Sequence, residues 1–450
     1  MGAAVEKLTA LVADPARFAF SADELRETQV AALDERFQDR KERIKLVGLR
    51  ARDAGVERIA RMEDVVPLLL PHTAYKSYPE AFLTGAKWDK LTKWLGTVSA
   101  HPTDGVDLTG VEDIDQWVEA CGRAGLHVSC SSGTTGKSAM LVASGEDLEF
   151  VSRDGVRAVE WGSDIRAGDK RFPAGAASAV AYTPRNAAVG QAMVAAFIDP
   201  EAPRFQSGLP PVTVGSLAQM VVLRKAIADG TAKPDEIASL EAESARRQAA
   251  LDAAQVGAVE DIISKRHERL YITGMWGAIY PFAKAVRDRG FSGSDFHPEN
   301  ALYMGGGLKR AQLPPDYREF VYETFNLHPR FIYQVYGMQE LNSSMPRCQE
   351  GHRYHVPPWV VALPLDKAGE HLVEHGEGEL ECRAAFFDLS LDGRWGGVIS
   401  GDRIHIDFRP CACGSKSPSI RDDVARYSDL EGDDKIGCAG TVDAYVRGLS

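Results

Sequence analysis

The sequence predicts an α/β protein: a large N-terminal lobe with layered, mostly parallel sheets and helices, plus a small antiparallel β subdomain. Three apolar segments that each run into glycine, RLYITG, NALYMGGG and RFIYQVYG, alternate with helical stretches, and this alternation favours a parallel sheet. From about residue 354 the chain changes to short alternating strands with tight glycine turns, as in an antiparallel sheet. A chain of 450 residues is too long for one ordinary core, so two or more compact lobes are expected.

Residues 1–75 are predicted to be helical. Ser21 is followed three residues later by Glu24, which is the signature of an N-terminal capping box. Apolar residues then recur at roughly helical spacing, at Leu25, Val30, Leu33 and Phe37. We expect Gly55 to close this helical segment.

The middle of the chain mixes short strands with one long helical region. Around residues 127–145 a short apolar strand, a polar loop and a second apolar run follow one another. The segments AASAVAYTP (176–184) and PPVTVG (210–215) are predicted to be buried strands, because they are apolar and bounded by Pro and Gly. Residues 216–268 are rich in Ala, Glu and Arg and poor in Gly and Pro, which predicts mostly helix.

Composition and charge exclude several classes of protein. The chain is 44% hydrophobic and 26% charged, as in soluble globular proteins, and its net charge of -12 disfavours a nucleic-acid binder. No apolar run reaches 18 residues and the N-terminus lacks a signal-peptide core, so we expect a cytoplasmic protein without a membrane partner. Seven unevenly placed cysteines do not make a disulfide framework.

The segment SSGTTGKS has the composition of a phosphate-binding loop. Glycines let backbone N–H groups approach an anion, hydroxyls add donors, and Lys137 adds a positive charge. It is not a Walker A loop, because that motif requires glycine where Ser131 stands. A flexible surface loop is the alternative. The residues are Ser131, Ser132, Gly133, Thr134, Thr135, Gly136, Lys137 and Ser138.

Three further motifs follow in order: YMGGGLK near residue 305, VYGMQE near 337 and SGDR near 402. Together with SSGTTGKS they resemble the adenylate-forming (ANL) superfamily of acyl-CoA synthetases, peptide-synthetase adenylation domains and luciferases. The resemblance runs from about residue 60 to the C-terminus. LLPHTAYKSYPEAFL, GGGLK and DDKIGCAGTVDAYVRG indicate the branch of phenylacetate-CoA ligases and luminescence-type acyl-protein synthetases.

The resemblance implies a role for each motif in binding ATP. The loop would grip the β- and γ-phosphates, with Lys137 catalytic, and Glu340 would hold Mg2+ as a second catalytic residue. Gln339, the third catalytic candidate, stands where the family usually has threonine. The remaining nucleotide contacts would come from Gly305, Gly306, Gly307, Tyr336, Gly337, Asp402 and Arg426. In the family, the glycines line the adenine and acyl pockets, the tyrosine stacks on adenine and the aspartate accepts hydrogen bonds from the ribose hydroxyls.

A second set of residues has the pattern of a zinc site. The segments CQEGHRYHV and FRPCACGS supply Cys348, Cys411 and Cys413 together with either His355 or His352. Three cysteines and one histidine match a tetrahedral structural zinc site. The resemblance implies the same site, because some phenylacetate-ligase relatives carry similar Cys/His segments as zinc ligands. We favour His355 as the ligand because His-Val entering a strand fits that pattern better. Buried free thiols with a surface histidine are the alternative.

The resemblance also predicts the domain organisation. Residues 1–424 would form the large adenylation domain, with the small β subdomain at about 354–424. Residues 425–450 would form the hinge and a remnant of the mobile C-terminal domain, which in the family has roughly a hundred residues. That small domain is therefore expected to be reduced or absent, with truncation of the chain as the alternative.

The resulting functional hypothesis is ATP- and Mg2+-dependent activation of a carboxylic acid to an acyl-adenylate, followed by acyl transfer to a thiol of CoA or of a protein. The alternatives are a carrier-directed acyl-protein synthetase, adenylation of a non-carboxylate acid such as nitrite, and a non-catalytic nucleotide-binding scaffold.

Cys130, beside the loop, is a candidate acyl acceptor or a packed core thiol, and Trp276 lines the acyl pocket or the core. A homodimer is the default oligomer.

Overall fold

The computed structural model describes residues 2–130, 137–177, 183–209, 212–216, 220, 223, 226–227, 229–308, 311–374, 378–431 and 436. The chain divides into two compact units, each built from segments that are separated in the sequence. The first unit contains residues 1–154, 183–188 and 338–450, and the second contains residues 155–182 and 189–337. The predicted domain boundary at residues 424 and 425 stays a prediction.

The described helices are α1 Ala3–Ala10, α2 Ala22–Arg43, α3 Lys45–Ala54, α4 Ala81–Thr84, α5 Trp88–Val98, α6 Ile114–Arg123, α7 Gly145–Gly162, α8 Pro184–Phe197, α9 Pro234–Ser264, α10 Trp276–Asp288, α11 Tyr317–Thr324 and α12 Tyr427–Glu431. Short 3-10 helices lie at Leu11–Ala13, Met62–Leu68, His72–Lys76, Gly293–Asp295 and Pro329–Phe331.

The described strands are β1 Leu70–Pro71, β2 His127–Cys130, β3 Met140–Ala143, β4 Phe172–Gly175, β5 Leu270–Gly274, β6 Ala301–Gly305, β7 Ile332–Tyr336, β8 Met345–Pro346, β9 Arg353–His355, β10 Val360–Ala362, β11 Leu380–Asp388, β12 Gly397–Asp407, β13 Ser419–Arg421 and β14 Ala425–Arg426. Within the described residues, no helix has the length and apolarity that crossing a bilayer requires.

Capping interactions set the ends of the N-terminal helices α2 and α3. The Ser21 hydroxyl accepts a hydrogen bond from the Glu24 amide at 3.2 Å, and the Glu24 carboxylate accepts one from the Ser21 amide at 2.7 Å. This confirms the predicted capping box of α2. Gly55 ends α3 with φ of 66°, a left-handed conformation that favours glycine. The predicted single segment is two helices, because Ile44 is fully buried in an extended conformation between them.

Among the described residues of the first unit, seven strands form one sheet in the order β10-β11-β12-β13-β9, with β1 and β14 also paired to β12. All neighbours are antiparallel except β1, which runs parallel to β12. This confirms the predicted antiparallel sheet. The strands β2 and β3 form a separate antiparallel hairpin in the same unit. Apolar rings fill the unit's core, with Phe387 meeting the edge of Trp395 at a centroid distance of 4.7 Å.

The second unit is built around parallel strands in the order β4-β5-β6-β7. Each of the three predicted glycine-ended strands is present, and α9 confirms the long helix predicted from composition. Trp276 begins α10 and is 2% exposed, with its ring 4.9 Å from that of Tyr317. It therefore belongs to the core of this unit, which also contains Ile272, Ile279, Phe282, Leu302, Met304, Val321 and Phe325.

Two predicted strands are wrong at several of the residues that the structure describes. Residues 214–216 are helical, because the Thr213 hydroxyl accepts a hydrogen bond from the Ser216 amide at 3.1 Å and starts a helical turn. Residues 176 and 177 lie outside any strand, and Pro184 begins α8 behind a similar cap, in which Thr183 accepts from the Asn186 amide at 3.2 Å. Residues 178–182 and 210–211 lie outside the described part of the chain.

Candidate functional site

The predicted phosphate-binding loop connects the two strands of the β2–β3 hairpin, in which Cys130 pairs with Met140. Lys137 and Ser138 are described, whereas Ser131, Ser132, Gly133, Thr134, Thr135 and Gly136 lie outside the described residues. Lys137 Nζ donates to the Tyr78 carbonyl at 2.8 Å, and the Tyr78 hydroxyl donates to the Ser138 carbonyl at 2.9 Å. The edge of the Trp94 ring supports Tyr78 at 5.0 Å. These contacts fix the outgoing end of the loop.

Glu340 lies in a turn whose backbone is held by a buried arginine. Arg394 donates from Nη2 to the carbonyl oxygens of Gln339 and Glu340, at 3.0 and 3.1 Å. Its Nη1 donates to the carbonyl of Val142 in β3, at 2.7 Å. Sequence reasoning missed Arg394, because it belongs to no motif and its partners are distant backbone carbonyls. One side chain thus connects the outgoing strand of the phosphate loop to the Glu340 turn.

The Glu340 carboxyl lies in a cluster of charges. Burial raises its pKa, the charges of Arg394 and Lys76 lower it, and the charge of Asp402 adds to the rise. Burial lowers the pKa of Lys76, which Glu340 raises and Arg426 lowers further. Sequence reasoning missed Lys76 as a site residue, although it lies in the quoted segment LLPHTAYKSYPEAFL. The cluster therefore has a carboxylate whose charge a bound cation would stabilise.

Gln339, which precedes Glu340 in the chain, carries a neutral side-chain oxygen. Its Nε2 donates to Asn186 Oδ1 at 3.2 Å. Its Oε1 is buried and has no hydrogen-bond partner among the described residues. Mg2+ is usually held by one or two carboxylates together with phosphate oxygens and water, and Glu340 supplies such a carboxylate. The residues present thus fit the metal that the sequence predicts.

Asp402 and Arg426, two of the predicted nucleotide contacts, face each other on paired strands. They are opposite in the β12–β14 register, and Arg426 Nε lies 3.6 Å from Asp402 Oδ1. The Asp402 side chain is 14% exposed and that of Arg426 is 68% exposed. The structure thus brings these two predicted residues together, with the guanidinium on the solvent side of the carboxylate.

The remaining predicted nucleotide contacts belong to the second unit and share one edge of its sheet. Gly305 ends β6 and is paired with Val335 in the neighbouring parallel strand β7, which ends at Tyr336. Gly306 follows with φ of 100°, a conformation that favours glycine, and Gly307 comes next. Tyr336 is 9% exposed and Gly337 is exposed. In open parallel sheets, ligands bind at this carboxyl end.

The predicted zinc ligands form a compact cluster in the first unit. The ligand atoms of Cys348, His355, Cys411 and Cys413 all lie within 4.8 Å of one another. Cys348 Sγ is 3.8 Å from Cys411 Sγ, and Cys413 Sγ is 3.5 Å from His355 Nε2. The structure brings His355 into the cluster, whereas His352 is not part of it.

The surroundings of this cluster suit a metal. Ser417 Oγ lies 2.9 Å from His355 Nδ1, which leaves Nε2 for the cluster. A Cβ atom at Gly351 would clash with Cys411 Sγ, so only glycine fits there. A Cys3His set with an oriented histidine matches structural Zn2+.

Cys130 is a poor acyl acceptor in this structure. Its side chain is 3% exposed, and burial raises its pKa to about 12. A thiol needs to be accessible and deprotonated to attack an acyl group. The geometry favours the packed core thiol of the two alternatives.

No protein-family model matches the sequence, and no curated protein matches it. Two solved structures of 2-hydroxyisobutyryl-CoA ligase resemble the structure of this chain. One is an open conformation in complex with 2-HIB-AMP and CoA, with a TM-score of 0.55 and 13% identity over 92% of this chain and 75% of that one. The chain shares the fold of this solved ligase. This confirms the predicted α/β fold class.

The second solved structure is the same ligase in complex with 2-HIB-AMP and CoA in the thioesterification state. It has a TM-score of 0.55 and 14% identity over 92% of this chain and 70% of that one. At this identity the likeness concerns the fold, so the predicted phenylacetate-CoA ligase and acyl-protein synthetase branch stays a prediction.

Proposed function

We propose that the protein uses ATP and Mg2+ to convert a carboxylic acid into its acyl-adenylate and then transfers the acyl group to the thiol of CoA. The observation that supports this most is the connection, through Arg394, between the hairpin that carries SSGTTGKS and the Glu340 turn. The fold adds support, because the solved ligases with this fold hold 2-HIB-AMP and CoA.

The first half-reaction transfers an adenylyl group. A carboxylate oxygen of the acid attacks the α-phosphorus of ATP, the bond to the bridging oxygen breaks, and pyrophosphate leaves with its electron pair. In the second half-reaction the CoA thiolate attacks the acyl carbonyl and AMP leaves. Enzymes of phosphorus transfer act mainly by positioning the groups and neutralising charge.

We assign parts in this reaction to several of the predicted residues. Lys137 would exchange its contact with the Tyr78 carbonyl for a phosphate oxygen, and Glu340 with Gln339 would hold Mg2+. When bound, Mg2+ neutralises phosphate charge. Asp402 would accept hydrogen bonds from the ribose hydroxyls, with Arg426 beside it. For the nucleotide base, we assign the binding role to Tyr336 and Gly337 with the turn formed by Gly305, Gly306 and Gly307.

We also propose that Cys348, His355, Cys411 and Cys413 hold a structural Zn2+. The supporting observations are the 4.8 Å limit on the distances among their ligand atoms and the Ser417 contact that orients His355. Four protein ligands leave no open position for a substrate, so the ion would stabilise the fold without taking part in catalysis.

The first test is ATP–pyrophosphate exchange with a panel of hydroxy, aryl and fatty acids. Wild-type protein is expected to exchange label with one class of acid, and Glu340→Ala is expected to lose at least roughly a hundredfold of that rate because a metal-binding carboxylate is removed. Glu370→Ala, which removes an exposed carboxylate of the same unit, is the control and should exchange like the wild type.

The outcomes separate the alternatives. Exchange followed by acyl-CoA formation supports the proposal. Exchange with acyl transfer to an added carrier protein, but none to CoA, would replace CoA by a protein acceptor. Exchange that requires a non-carboxylate acid would replace the substrate class. Tight ATP binding without exchange with any acid would overturn the proposed reaction in favour of a non-catalytic scaffold.

A further inference from the structure

Arg394 has a role that the predicted motifs do not contain. Its guanidinium is buried, with 2% of the residue exposed. It donates to three backbone carbonyls, those of Val142, Gln339 and Glu340. Val142 lies in β3 four residues after Ser138, the last residue of the phosphate loop. A single side chain therefore sets the distance between the strand leaving the loop and the turn that carries the metal-binding carboxylate.

The segment that carries Arg394 is itself held in one position. The Asp147 carboxylate accepts hydrogen bonds from the amides of Gly393 and Ser144, at 2.8 and 2.9 Å, and from the amide of Asp392 at 2.8 Å. A Cβ atom at Gly393 would lie 2.7 Å from Asp147 Oδ2 and 2.8 Å from the Ser144 nitrogen, so the backbone approaches closely only because this residue is glycine. The backbone that precedes Arg394 is thus held in place by these hydrogen bonds.

Arginine suits this position and lysine does not. The guanidinium is planar and presents several N–H donors in a fixed fork, so it can bond to three carbonyls at once. A lysine ammonium keeps the charge but is a compact group that cannot span the same three oxygens. Since Arg394 contacts backbone carbonyls at the turn, it acts on Glu340 and Gln339 by placing them.

We propose that Arg394 is a positioning residue that couples the position of the phosphate-binding loop to that of the Mg2+-binding turn. Both elements can then bind one ATP·Mg2+ at the same time. This proposal rests on the proposed function, which supplies the ATP and Mg2+ sites. Arg394 would fix the position of these two sites relative to each other. Lys137 and Glu340 then bind the nucleotide together, and loss of the guanidinium would uncouple their positions although both residues are still present.

The test compares Arg394→Lys with Arg50→Lys. Arg50 is a matched control, because it is also buried in the first unit and donates two guanidinium hydrogen bonds to a backbone carbonyl, that of Pro67. Calorimetry measures ATP affinity with and without Mg2+, and pyrophosphate exchange measures kcat and KM. Thermal unfolding reports the stability of each variant.

We expect Arg394→Lys to bind ATP without Mg2+ like the wild type and to lose roughly tenfold or more of the Mg2+-dependent gain in affinity. Its kcat for exchange should fall by about 10- to 100-fold, with a smaller change in KM, because a small misplacement of positioned groups has effects of this size. Arg50→Lys should match the wild type in both assays even where its Tm falls.

A Mg2+-dependent gain that is unchanged in Arg394→Lys, or equally reduced in Arg50→Lys, would overturn the proposal. If the wild type binds ATP·Mg2+ but exchanges with no acid, the proposed reaction fails while the binding comparison still decides the role of Arg394. If ATP binding by the wild type does not depend on Mg2+, both ideas fail.

A measurement on the unmodified protein covers the case in which Arg394→Lys does not fold. Hydrogen exchange followed by mass spectrometry reports on peptides that contain Lys137–Val142 and Gln339–Glu340. With ATP and Mg2+ together, we expect both peptides to gain protection in parallel as Mg2+ is titrated. Protection of the loop peptide alone would contradict the coupling.

Discussion

Glu340 is the residue on which the proposed chemistry depends most, and it lies where a negative charge is costly. Burial raises the pKa of its carboxyl, and the nearby charge of Asp402 acts in the same direction. Arg394 and Lys76 oppose these effects, and burial lowers the pKa of Lys76 in turn. Such clusters of shifted groups are typical of functional sites. A cation bound here would offset the burial of the carboxylate.

At this scale, the sequence predicts residues that belong to motifs. Glu340, Asp402, Arg426 and His355 were assigned from short patterns, and the structure places Asp402 opposite Arg426 and His355 among three cysteines. Arg394 was not predictable, because its three partners are backbone carbonyls remote in sequence. Such contacts depend on how the chain folds back, which a local pattern does not encode.

The burial of Cys130 predicts that its thiol is unreactive in the folded protein. Because burial raises the pKa of this thiol to about 12, iodoacetamide at about pH 8 is expected to leave it unmodified in the native protein and to label it after unfolding. Cys130→Ala should still form acyl-CoA, and no acyl-enzyme should be detected by intact mass. Rapid native labelling, or an acyl group on Cys130, would contradict this and favour an acyl-protein synthetase mechanism.

At the scale of elements, the zinc cluster links parts of the first unit that differ in structure. His355 ends β9, whereas Cys411 belongs to a turn in which its amide donates to the Ser415 carbonyl at 2.9 Å. The strand is also paired with β13, opposite Ser419. A metal at this point would join the turn to the edge of the sheet, which is the usual role of a structural zinc.

The corresponding prediction uses two cysteine variants. Purified wild-type protein should contain one equivalent of zinc, and Cys413→Ser should lose it and unfold at a lower temperature, because metal binding and folding are coupled. Cys382→Ser is the control, since Cys382 is a buried thiol of β11 outside the cluster. Atomic spectroscopy measures the zinc content of each protein. Zinc retained in Cys413→Ser, or absent from the wild type, would contradict the proposed zinc site.

The sequence predicts helices and strands correctly where a single local pattern is strong. The strands β5, β6 and β7 are apolar runs ending in or beside glycine, and the capping box of α2 is complete. The strand prediction failed at residues 214 and 215, because the Thr213 hydroxyl caps a helical turn there. This contact outweighs the strand preference of valine.

At the scale of the whole molecule, each unit is assembled from separated segments, and residues 338–450 belong with residues 1–154. The motif order predicted the fold, which the solved ligases share. It did not predict this grouping, because the contacts that create it are long-range. One example is Arg36, whose guanidinium donates to the Leu389 carbonyl at 2.7 and 3.0 Å.

In the proposed reaction, the chain joins an acid to the adenylyl group of ATP. The most direct measurement uses the acid identified by the exchange panel, labelled with 18O in its carboxylate, together with ATP, Mg2+ and CoA. Attack of the carboxylate on the α-phosphorus leaves one acid oxygen on the phosphate of AMP after the acyl group has moved to the thiol. We predict AMP that carries one 18O atom, detected by mass spectrometry. AMP without 18O, or ADP formed together with 18O-labelled inorganic phosphate, would contradict this reaction.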